Sequence, residues 1–244
     1  MMKHKIYVVG MGPGDEKQMT GRALEVLLDC DTIVGYTVYL KLLDERFHDK
    51  ELLSTPMKQE VERCHLCYRK AREGKKTAMI CSGDAGIYGM ASLMYEIGAG
   101  YPDCELEVVP GITAASSGAA VLGAPLNHDF CVISLSDLLT PWEVIEKRLL
   151  AAAMGDFVIA IYNPSSKLRA DYLARACDIL AEHIEGERAC GYVENIGREG
   201  ERAVTCTFGE LRERSVNMFT TVFIGNSQSK IMDNHLVTPR GYMV

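Results

Sequence analysis

The chain has 244 residues, of which 48% are apolar, and it carries a formal net charge of −7. This length and apolar share are typical of a globular protein with a full core, arranged as one large domain or two of ordinary size. The acidic balance argues against general attraction to nucleic acid or to an acidic membrane. No apolar run reaches the ~18 residues of a membrane-spanning helix, and residues 1–5 lead into a strand with no secretory signal region. These features predict a cytoplasmic protein.

Short apolar strands alternate with amphipathic helices along the chain, which is the pattern of an α/β fold. In the first half, the pattern predicts strands at 5–9, 31–35, 51–54, 77–81 and 105–109, and helices at 20–28, 36–47, 58–72 and 87–99. In the second half, it predicts strands at 130–134, 156–161, 189–194, 203–207 and 220–224, and helices at 141–154 and 167–185. We therefore expect two α/β domains of similar size, 1–124 and 125–244, with a site in the cleft between them.

A glycine-rich loop, Gly10-Met-Gly-Pro-Gly-Asp15, follows the first predicted strand. It differs from the dinucleotide fingerprint, because Asp15 stands where the third glycine is needed. Pro13 also removes a backbone N–H at a place where a pyrophosphate would need a donor. The loop therefore disfavours a nicotinamide-dependent oxidoreductase.

The nine cysteines are scattered through the sequence, and only Cys64 and Cys67 form a CxxC pair. Such a pair can be half of a zinc site, but no second CxxC or matching Cys/His pair accompanies it. A metal or redox role for this pair is an open alternative. The interpretation we favour is that the cysteines are reduced and pack as small apolar side chains, with no metal site.

The central stretch, Ile80-Cys-Ser-Gly-Asp-Ala-Gly-Ile-Tyr-Gly89, places a polar, glycine-rich turn after a buried strand. In open α/β sheets, ligands bind at the carboxyl edge of the strands. The glycines at 83, 86 and 89 would let backbone amides approach a ligand, and Asp84 supplies a fixed charge. A run of small residues at 110–118 follows the strand at 105–109 in the same way. An ordinary turn and a close helix–strand contact are the alternative interpretations of these two segments.

A helix start is predicted at Thr140-Pro-Trp-Glu143 in the second half. Thr140 would be the N-cap, Pro141 the first helical residue and Glu143 the partner that completes a capping box. The helix is expected to run to about Met154.

Four motifs occur in order along the chain: Gly10–Asp15, Ser82-Gly-Asp84, Val109-Pro-Gly-Ile-Thr-Ala114 and Ile161-Tyr-Asn163. Together they resemble the tetrapyrrole methylase family, whose members are S-adenosylmethionine-dependent enzymes of cobalamin and sirohaem synthesis. The resemblance covers essentially the whole chain. Many members have Gly-Asp-Pro where this chain has Ala85. With the segments 128–142 and 238–242, this version is similar to the branch that methylates carbon 17 of precorrin-3B or cobalt-precorrin-3 and contracts the macrocycle.

The resemblance implies two α/β domains of the class III methyltransferase type, a homodimer, and S-adenosylmethionine bound in the cleft. It also implies a donor site on the loops that carry the motifs, closed from the second domain by the loop after Glu194. The residues expected in that site are Pro13, Gly83, Asp84, Ala85, Tyr88, Thr113, Ala114 and Asn163.

Methyl transfer from a sulfonium needs no metal, because positioning and exclusion of water can supply most of the catalysis. Ring contraction needs a base, because a substrate hydroxyl must lose a proton. We predict Asp137 as that base and Ser136 as a residue that orients the hydroxyl. Histidine is a common proton acceptor near neutral pH, but His128 precedes its strand, at the opposite edge of the sheet. Because the chain is acidic, Arg198 and Arg240 are the candidates for binding the substrate carboxylates.

Several alternatives remain at this point. A relative of the same fold could methylate another tetrapyrrole position, an RNA or a protein side chain, although the net charge disfavours RNA. A non-catalytic ligand-binding module is a further alternative. The substrate could be cobalt-loaded or metal-free, and the many cysteines favour an oxygen-poor setting and hence the cobalt route.

Overall fold

The computed structural model describes residues 3–14, 16–166 and 168–243, so that Asp15 and Lys167 of the sequence predictions lie outside the described residues. The chain divides into two compact units, Met1–Ala114 and Ala115–Val244. The predicted α/β class is confirmed. The units divide at the start of the helix Ala114–Leu122, whereas the domain boundary near residue 124, which stays a prediction, follows that helix.

The first unit is an α/β unit around one five-stranded sheet. Its helices and strands are β1 (His4–Gly10), α1 (Gly21–Asp29), β2 (Thr32–Tyr36), α2 (Thr37–Leu40), β3 (Glu51–Thr55), α3 (Glu60–Arg72), β4 (Thr77–Cys81), α4 (Ala91–Gly98) and β5 (Cys104–Val109). The strand order is β3-β2-β4-β1-β5, and every neighbouring pair is parallel.

Both faces of this sheet are covered, which explains why its strands are continuous apolar runs rather than alternating ones. Val9 and Ile80 pack with α1 on one face, and Val8 and Met79 pack with α3 and α4 on the other. Successive residues of a strand point to opposite faces, so each strand contributes to both clusters.

The second unit contains a mixed five-stranded sheet and a small sheet that the sequence analysis did not predict. Its elements, with the helix that leads into it, are α5 (Ala114–Leu122), β6 (Gly123–Ala124), β7 (Phe130–Ser134), α6 (Trp142–Met154), β8 (Val158–Tyr162), α7 (Tyr172–Leu180), β9 (Ala189–Glu194), β10 (Arg202–Thr207), α8 (Phe208–Arg212), β11 (Thr220–Ile224), β12 (Lys230–Met232) and β13 (His235–Val237). In the order β10-β9-β11-β8-β7, only β7 and β8 pair in parallel. The small sheet has the order β12-β13-β6.

The predicted capping box at Thr140 is wrong. Pro141 is the N-cap, with an extended backbone (φ −54°, ψ 143°) and no side-chain cap hydrogen bond, so α6 begins one residue later than expected. A capping box does form at the start of α8, where Thr207 and Glu210 bond to each other's backbone N–H groups. The capping box forms at α8 because Thr207, the last residue of β10, has the extended backbone of an N-cap.

Three predicted helices are shorter in the structure. The helix expected from Ile87 begins at Ala91, because Tyr88 has a positive φ of 54° that interrupts a helix. The helix expected at 36–47 is α2 followed by a 3-10 turn at Glu45–Phe47. The helix expected at 167–185 is limited to α7, because residues 166 and 169 pair in an isolated bridge before it.

Candidate active site

The carboxyl edge of the first sheet brings together the three loops that the sequence analysis selected. These loops follow β4, β1 and β5, which are neighbours and run parallel. Because the carboxyl ends of parallel strands share one edge, the segments 82–89, 10–14 and 110–113 meet there. The structure thus assembles, within one unit, motifs that are far apart in the sequence.

Gly12 and Gly83 join the first two loops through their backbones. Gly12 N donates to Gly83 O at 3.0 Å, and Gly83 N donates to Gly12 O at 2.7 Å. Both residues have a positive φ, +79° and +68° respectively, which glycine adopts without steric strain. This pair explains why glycine is needed at both positions.

The polypeptide backbone packs directly against itself at three glycines, Gly10, Gly83 and Gly111. A Cβ on Gly111 would lie 2.2 Å from Gly83 O, and a Cβ on Gly10 would lie 2.7 Å from Gly111 N. Neither distance can be relieved by a side-chain rotation, because the neighbouring atoms belong to the backbone. The edge is therefore a surface of closely packed peptide groups, which suits a ligand that is held by backbone N–H and C=O groups.

Asp84 ties the second loop to the third. Its Oδ1 accepts hydrogen bonds from Gly86 N at 2.8 Å and Ile87 N at 3.1 Å, and its Oδ2 accepts from Gly111 N at 2.9 Å. The carboxylate thus holds two loops of the candidate site in register. The sequence predicted a fixed charge at Asp84 for a ligand, whereas this supporting role is visible only in the structure.

The other first-unit residues predicted for the donor site all lie on these loops. Pro13 and Ala85 are buried, and Thr113 is half-buried. Tyr88 is 57% exposed at a positive φ, and Ala114 begins α5. The structure brings these residues to one edge of the sheet, and their contact with a donor stays a prediction.

The second unit has a comparable edge. Both β8 and β9 are antiparallel to β11, so β7, β8 and β9 end on the same side of the sheet. Asn163 follows β8 with a φ of 53°, and its Nδ2 donates to Ser134 Oγ at 2.9 Å. The loop after Glu194 begins there too, with Asn195 at a φ of 51°. Asn163 and this loop thus lie on the same edge of the second sheet, with β11 between their strands.

The two arginines predicted to bind substrate lie at different places. Arg198 is in the loop after β9, with its guanidinium 5.3 Å from the ring centroid of Phe219. Arg240 is exposed in the C-terminal segment. The carbonyl oxygen of the preceding Pro239 is 2.9 Å from Nε2 of His128, which lies at the amino end of β7. The structure therefore does not bring His128 or Arg240 to the edge that carries Arg198.

Asp137 follows β7 at the carboxyl edge, as predicted, and its carboxylate is held by two side chains. Tyr172 Oη donates to Oδ2 at 2.5 Å, and Arg169 Nε lies 2.5 Å from Oδ1 in an ion pair. The hydrogen bond from Tyr172, followed by the charge of Arg169, holds the pKa of Asp137 below its usual range. Asp137 is therefore ionised at neutral pH and is a weaker base than an ordinary aspartate. Ser136, one residue earlier, donates its backbone N–H to Ser134 Oγ at 3.2 Å.

Aromatic and cationic side chains extend this group. The rings of Trp142 and Tyr172 are 4.7 Å apart, and the Arg175 guanidinium lies 4.1 Å from the centroid of the Trp142 ring. Arg169 and Arg175 were not among the predicted site residues, because the sequence pattern assigns this stretch to a helix with an apolar face. The available signal was the spacing of Tyr172 and Arg175, which places them on one face of a helical turn.

The described residues contain no group of three or more His, Cys, Asp or Glu side chains that could hold a metal ion. Cys64 and Cys67 are fully buried in the core under α3. Burial raises the pKa of Cys64 to about 12 and that of Cys67 well above its ordinary value. Thiols in this state are poor nucleophiles and poor metal ligands, which fits the apolar packing role. No helix among the described residues is long and apolar enough to cross a membrane.

Comparison with known proteins gives the family. The model of the tetrapyrrole (corrin/porphyrin) methylases matches residues 5–212. The chain belongs to this family. This tetrapyrrole methylase is 45% identical, over 96% of its length and 98% of the relative, to a probable cobalt-factor III C(17)-methyltransferase of Salmonella typhimurium.

Solved structures agree with the family assignment. The tetrapyrrole methylase described here superposes on the methyltransferase CobJ with a TM-score of 0.89 at 35% identity, covering 96% of this chain and 99% of CobJ. It shares its fold with a uroporphyrin-III C-methyltransferase of Thermus thermophilus complexed with S-adenosylhomocysteine. That match has a TM-score of 0.70 at 21% identity and covers 91% of this chain and 92% of the other.

Proposed function

We propose that this methylase transfers a methyl group from S-adenosylmethionine to carbon 17 of a cobalt-containing tetrapyrrole of the cobalt-factor III (cobalt-precorrin-3) type and contracts the macrocycle. The near full-length similarity to the Salmonella C(17)-methyltransferase carries this proposal. Metal-free precorrin-3B is the alternative substrate. A family member that acts at another tetrapyrrole position is less well supported, because the identity to the C(17) enzyme extends over nearly the whole chain.

The carboxyl edge of the first sheet is the proposed donor site. A Cβ on Gly10 or Gly111 would fill the space between the loops, so the edge offers peptide groups at close range. Asp84 and the Gly12–Gly83 pair hold these groups in a fixed arrangement before any ligand arrives. Pre-organisation of this kind reduces the entropy lost on binding.

When bound, S-adenosylmethionine supplies an electrophilic methyl group, whose bond to sulfur breaks as the substrate carbon donates its electron pair. The chain's own residues then have to position the two reactants and exclude water. This role of the protein agrees with a site made of closely packed loops that hydrogen bonds hold in place.

Asp137 stays our candidate for the proton acceptor in ring contraction. Tyr172 and Arg169 lower the pKa of Asp137, so the carboxylate is in its proton-accepting form at neutral pH. The same contacts lower its basicity, and proton transfer then depends on the acidity of the substrate hydroxyl. Ser136 is the neighbouring candidate for orienting that hydroxyl. His128 is a weaker candidate for proton transfer, because it lies at the amino end of β7, near the C-terminal segment.

Arg198 is the better supported of the two predicted substrate-binding arginines. It shares its edge of the second sheet with Asn163, which is our candidate donor-site residue of that unit. Arg240 remains a candidate through the C-terminal segment. We further propose a homodimer, on the resemblance to the family, and a cytoplasmic location, because all nine cysteines are unpaired thiols.

The test is product analysis with purified enzyme. S-adenosylmethionine and cobalt-factor III should give a ring-contracted product that has gained one methyl group and lost one proton, identified by mass spectrometry and by its absorption spectrum. Metal-free precorrin-3B, supplied in parallel, should be converted more slowly. Methylation of neither substrate, with S-adenosylhomocysteine still bound, would contradict the proposed reaction.

A further inference from the structure

Arg63, in the first turn of α3, is a buried arginine without an acidic partner among the described residues. Its side chain is almost sealed, since the residue is only 4% exposed. Its hydrogen bonds go to neutral oxygen atoms of Thr55 and Pro56. Arginine is almost never fully buried unless it is paired with an anion. A charge in this state calls for a negative group, and the described residues do not provide one.

The hydrogen bonds of Arg63 fix the direction of its guanidinium. Nε donates to Thr55 Oγ1 at 2.8 Å, and Nη2 donates to Pro56 O at 3.0 Å and, at 3.3 Å, to Thr55 O. On another side lies Tyr36, whose ring centroid is 5.8 Å from the guanidinium carbon. A planar cation held in this way is pre-organised for a further partner.

The remaining nitrogen, Nη1, has no hydrogen-bond partner in the described part of the chain. Among the described residues, the fully buried side-chain atoms without a hydrogen bond are Gln18 Oε1 and Asp137 Oδ1, and the latter is in the ion pair with Arg169. Because Nη1 is not among these sealed atoms, it still reaches accessible space. Nη1 is therefore the one guanidinium nitrogen of Arg63 that can donate a hydrogen bond to a ligand, because Nε and Nη2 already donate to Thr55 and Pro56.

The position of Arg63 in the fold relates it to the candidate donor site. Tyr36 ends β2 and Thr55 ends β3, so the arginine lies at the carboxyl edge of the first sheet. The glycine loops occupy the same edge at β4, β1 and β5. Adjacent strands are ~4.8 Å apart, so Arg63 lies beside the proposed donor loops and is not part of them.

We propose that Arg63 is a carboxylate-binding subsite for an acetate or propionate side chain of the tetrapyrrole. This inference rests on the proposed function, because it takes the substrate to be a polycarboxylate. A carboxylate oxygen can accept a hydrogen bond from Nη1, and charge-assisted bonds of this kind are strong where water is excluded. In a chain with a net charge of −7, a buried and unpaired cation is the feature that attracts such a group. The methionine carboxylate of the donor is the other source of the same chemistry, and we favour the substrate because Arg63 lies outside the glycine loops.

The experiment measures tetrapyrrole binding and donor binding separately in Arg63→Met and Arg63→Lys. Tetrapyrrole affinity is followed by the visible absorption of cobalt-factor III, and S-adenosylhomocysteine affinity by calorimetry. We expect Arg63→Met to weaken tetrapyrrole binding about 10-fold or more, with donor affinity unchanged. Arg63→Lys should have a tetrapyrrole affinity between those of the wild type and Arg63→Met, because it keeps the charge but loses the hydrogen bonds that fix the direction of the guanidinium. The matched control is Arg69→Met on the same helix, whose exposed side chain pairs with Glu62, and it should change neither affinity.

Competition with propionate supplies a second measurement that does not depend on the Met variant being folded. Propionate should compete with cobalt-factor III in the wild type and should compete less in Arg63→Lys. Unchanged tetrapyrrole affinity in folded Arg63→Met, or equal propionate competition in wild type and Arg63→Lys, would overturn the subsite. A loss of donor affinity alone would assign Arg63 to the methionine carboxylate and overturn it as well. Because the wild type is assayed for methylation in parallel, failure of the proposed reaction is seen independently of these variants.

Discussion

The carboxyl edges of the two five-stranded sheets differ in the chemical groups that form them. In the first unit the edge is formed by backbone groups, where Gly10 and Gly111 lie too close to the Gly83 backbone to carry a side chain. In the second unit it is formed by side chains, with Asp137 held between Tyr172 and Arg169. Backbone groups cannot be exchanged by mutation, whereas side chains can. The comparison suggests that the first edge serves a ligand common to the family and that the second can be adapted to a particular reaction.

The largest expected effect comes from a change at the carboxyl edge of the second sheet, where side chains form the edge. Asp137→Asn should still methylate carbon 17 but should lose ring contraction, by about 100-fold or more if the carboxylate is the proton acceptor. The measurement is mass and absorption analysis of the product after a single turnover. Contraction at the normal rate would remove Asp137 from the mechanism. Loss of both steps would assign it to binding or folding.

A variant at the carboxyl edge of the first sheet should lower the stability of the protein rather than block one chemical step. Gly111→Ala places a Cβ 2.2 Å from Gly83 O, so the loops must separate. We expect a loss of about 3 kcal/mol in the free energy of unfolding and a weakened affinity for S-adenosylhomocysteine. Urea unfolding and calorimetry measure the two effects. The control is Gly21→Ala, where a Cβ meets nothing within 4 Å, and a large effect there would contradict the steric argument.

Asp84→Asn tests the carboxylate that joins two backbone loops. An amide nitrogen cannot accept the hydrogen bonds that the carboxylate oxygens accept from Gly86, Ile87 and Gly111. We expect the variant to lose about 1–3 kcal/mol of stability and to bind S-adenosylhomocysteine more weakly. Asp103→Asn, which removes a carboxylate from an exposed pair with Arg72, should leave donor affinity unchanged. Weaker donor binding with unchanged stability would show that Asp84 contacts the donor and does not organise the loops.

The smallest expected effect is a pH dependence of the stability that Asp137 contributes at the carboxyl edge of the second sheet. The pKa of Asp137 is lowered in the folded protein, so its pairing stabilises the fold above the pKa of the unfolded chain, about 3.9. That contribution is lost as the pH falls through the folded-state pKa. The difference in melting temperature between wild type and Asp137→Asn should therefore narrow below about pH 4. Asp233→Asn, at an exposed turn, provides the charge-matched control. A difference for Asp137→Asn that stays constant down to pH 3 would contradict the ion pair.

The sequence predicted the alternation of strands and helices well, because it follows from local apolar periodicity. The strands Thr77–Cys81 and Thr220–Ile224 have the predicted bounds. Local signals failed where a neighbouring conformation decided the outcome. The box at Thr140 did not form because Pro141 is extended, and the helix after Asp84 started late because Tyr88 has a positive φ.

The sequence by itself determined the family, the α/β class and the loops of the candidate site, since these depend on motifs and periods that are local in the chain. The supporting role of Asp84, the ion pair of Asp137 with Arg169, and the unpaired charge of Arg63 were decided by the tertiary structure alone. Each depends on residues that are distant in the sequence or that meet only when a helix packs on a strand end. A partner's position in space, rather than its place in the chain, determines whether a charged side chain is neutralised, and no local pattern contains that information.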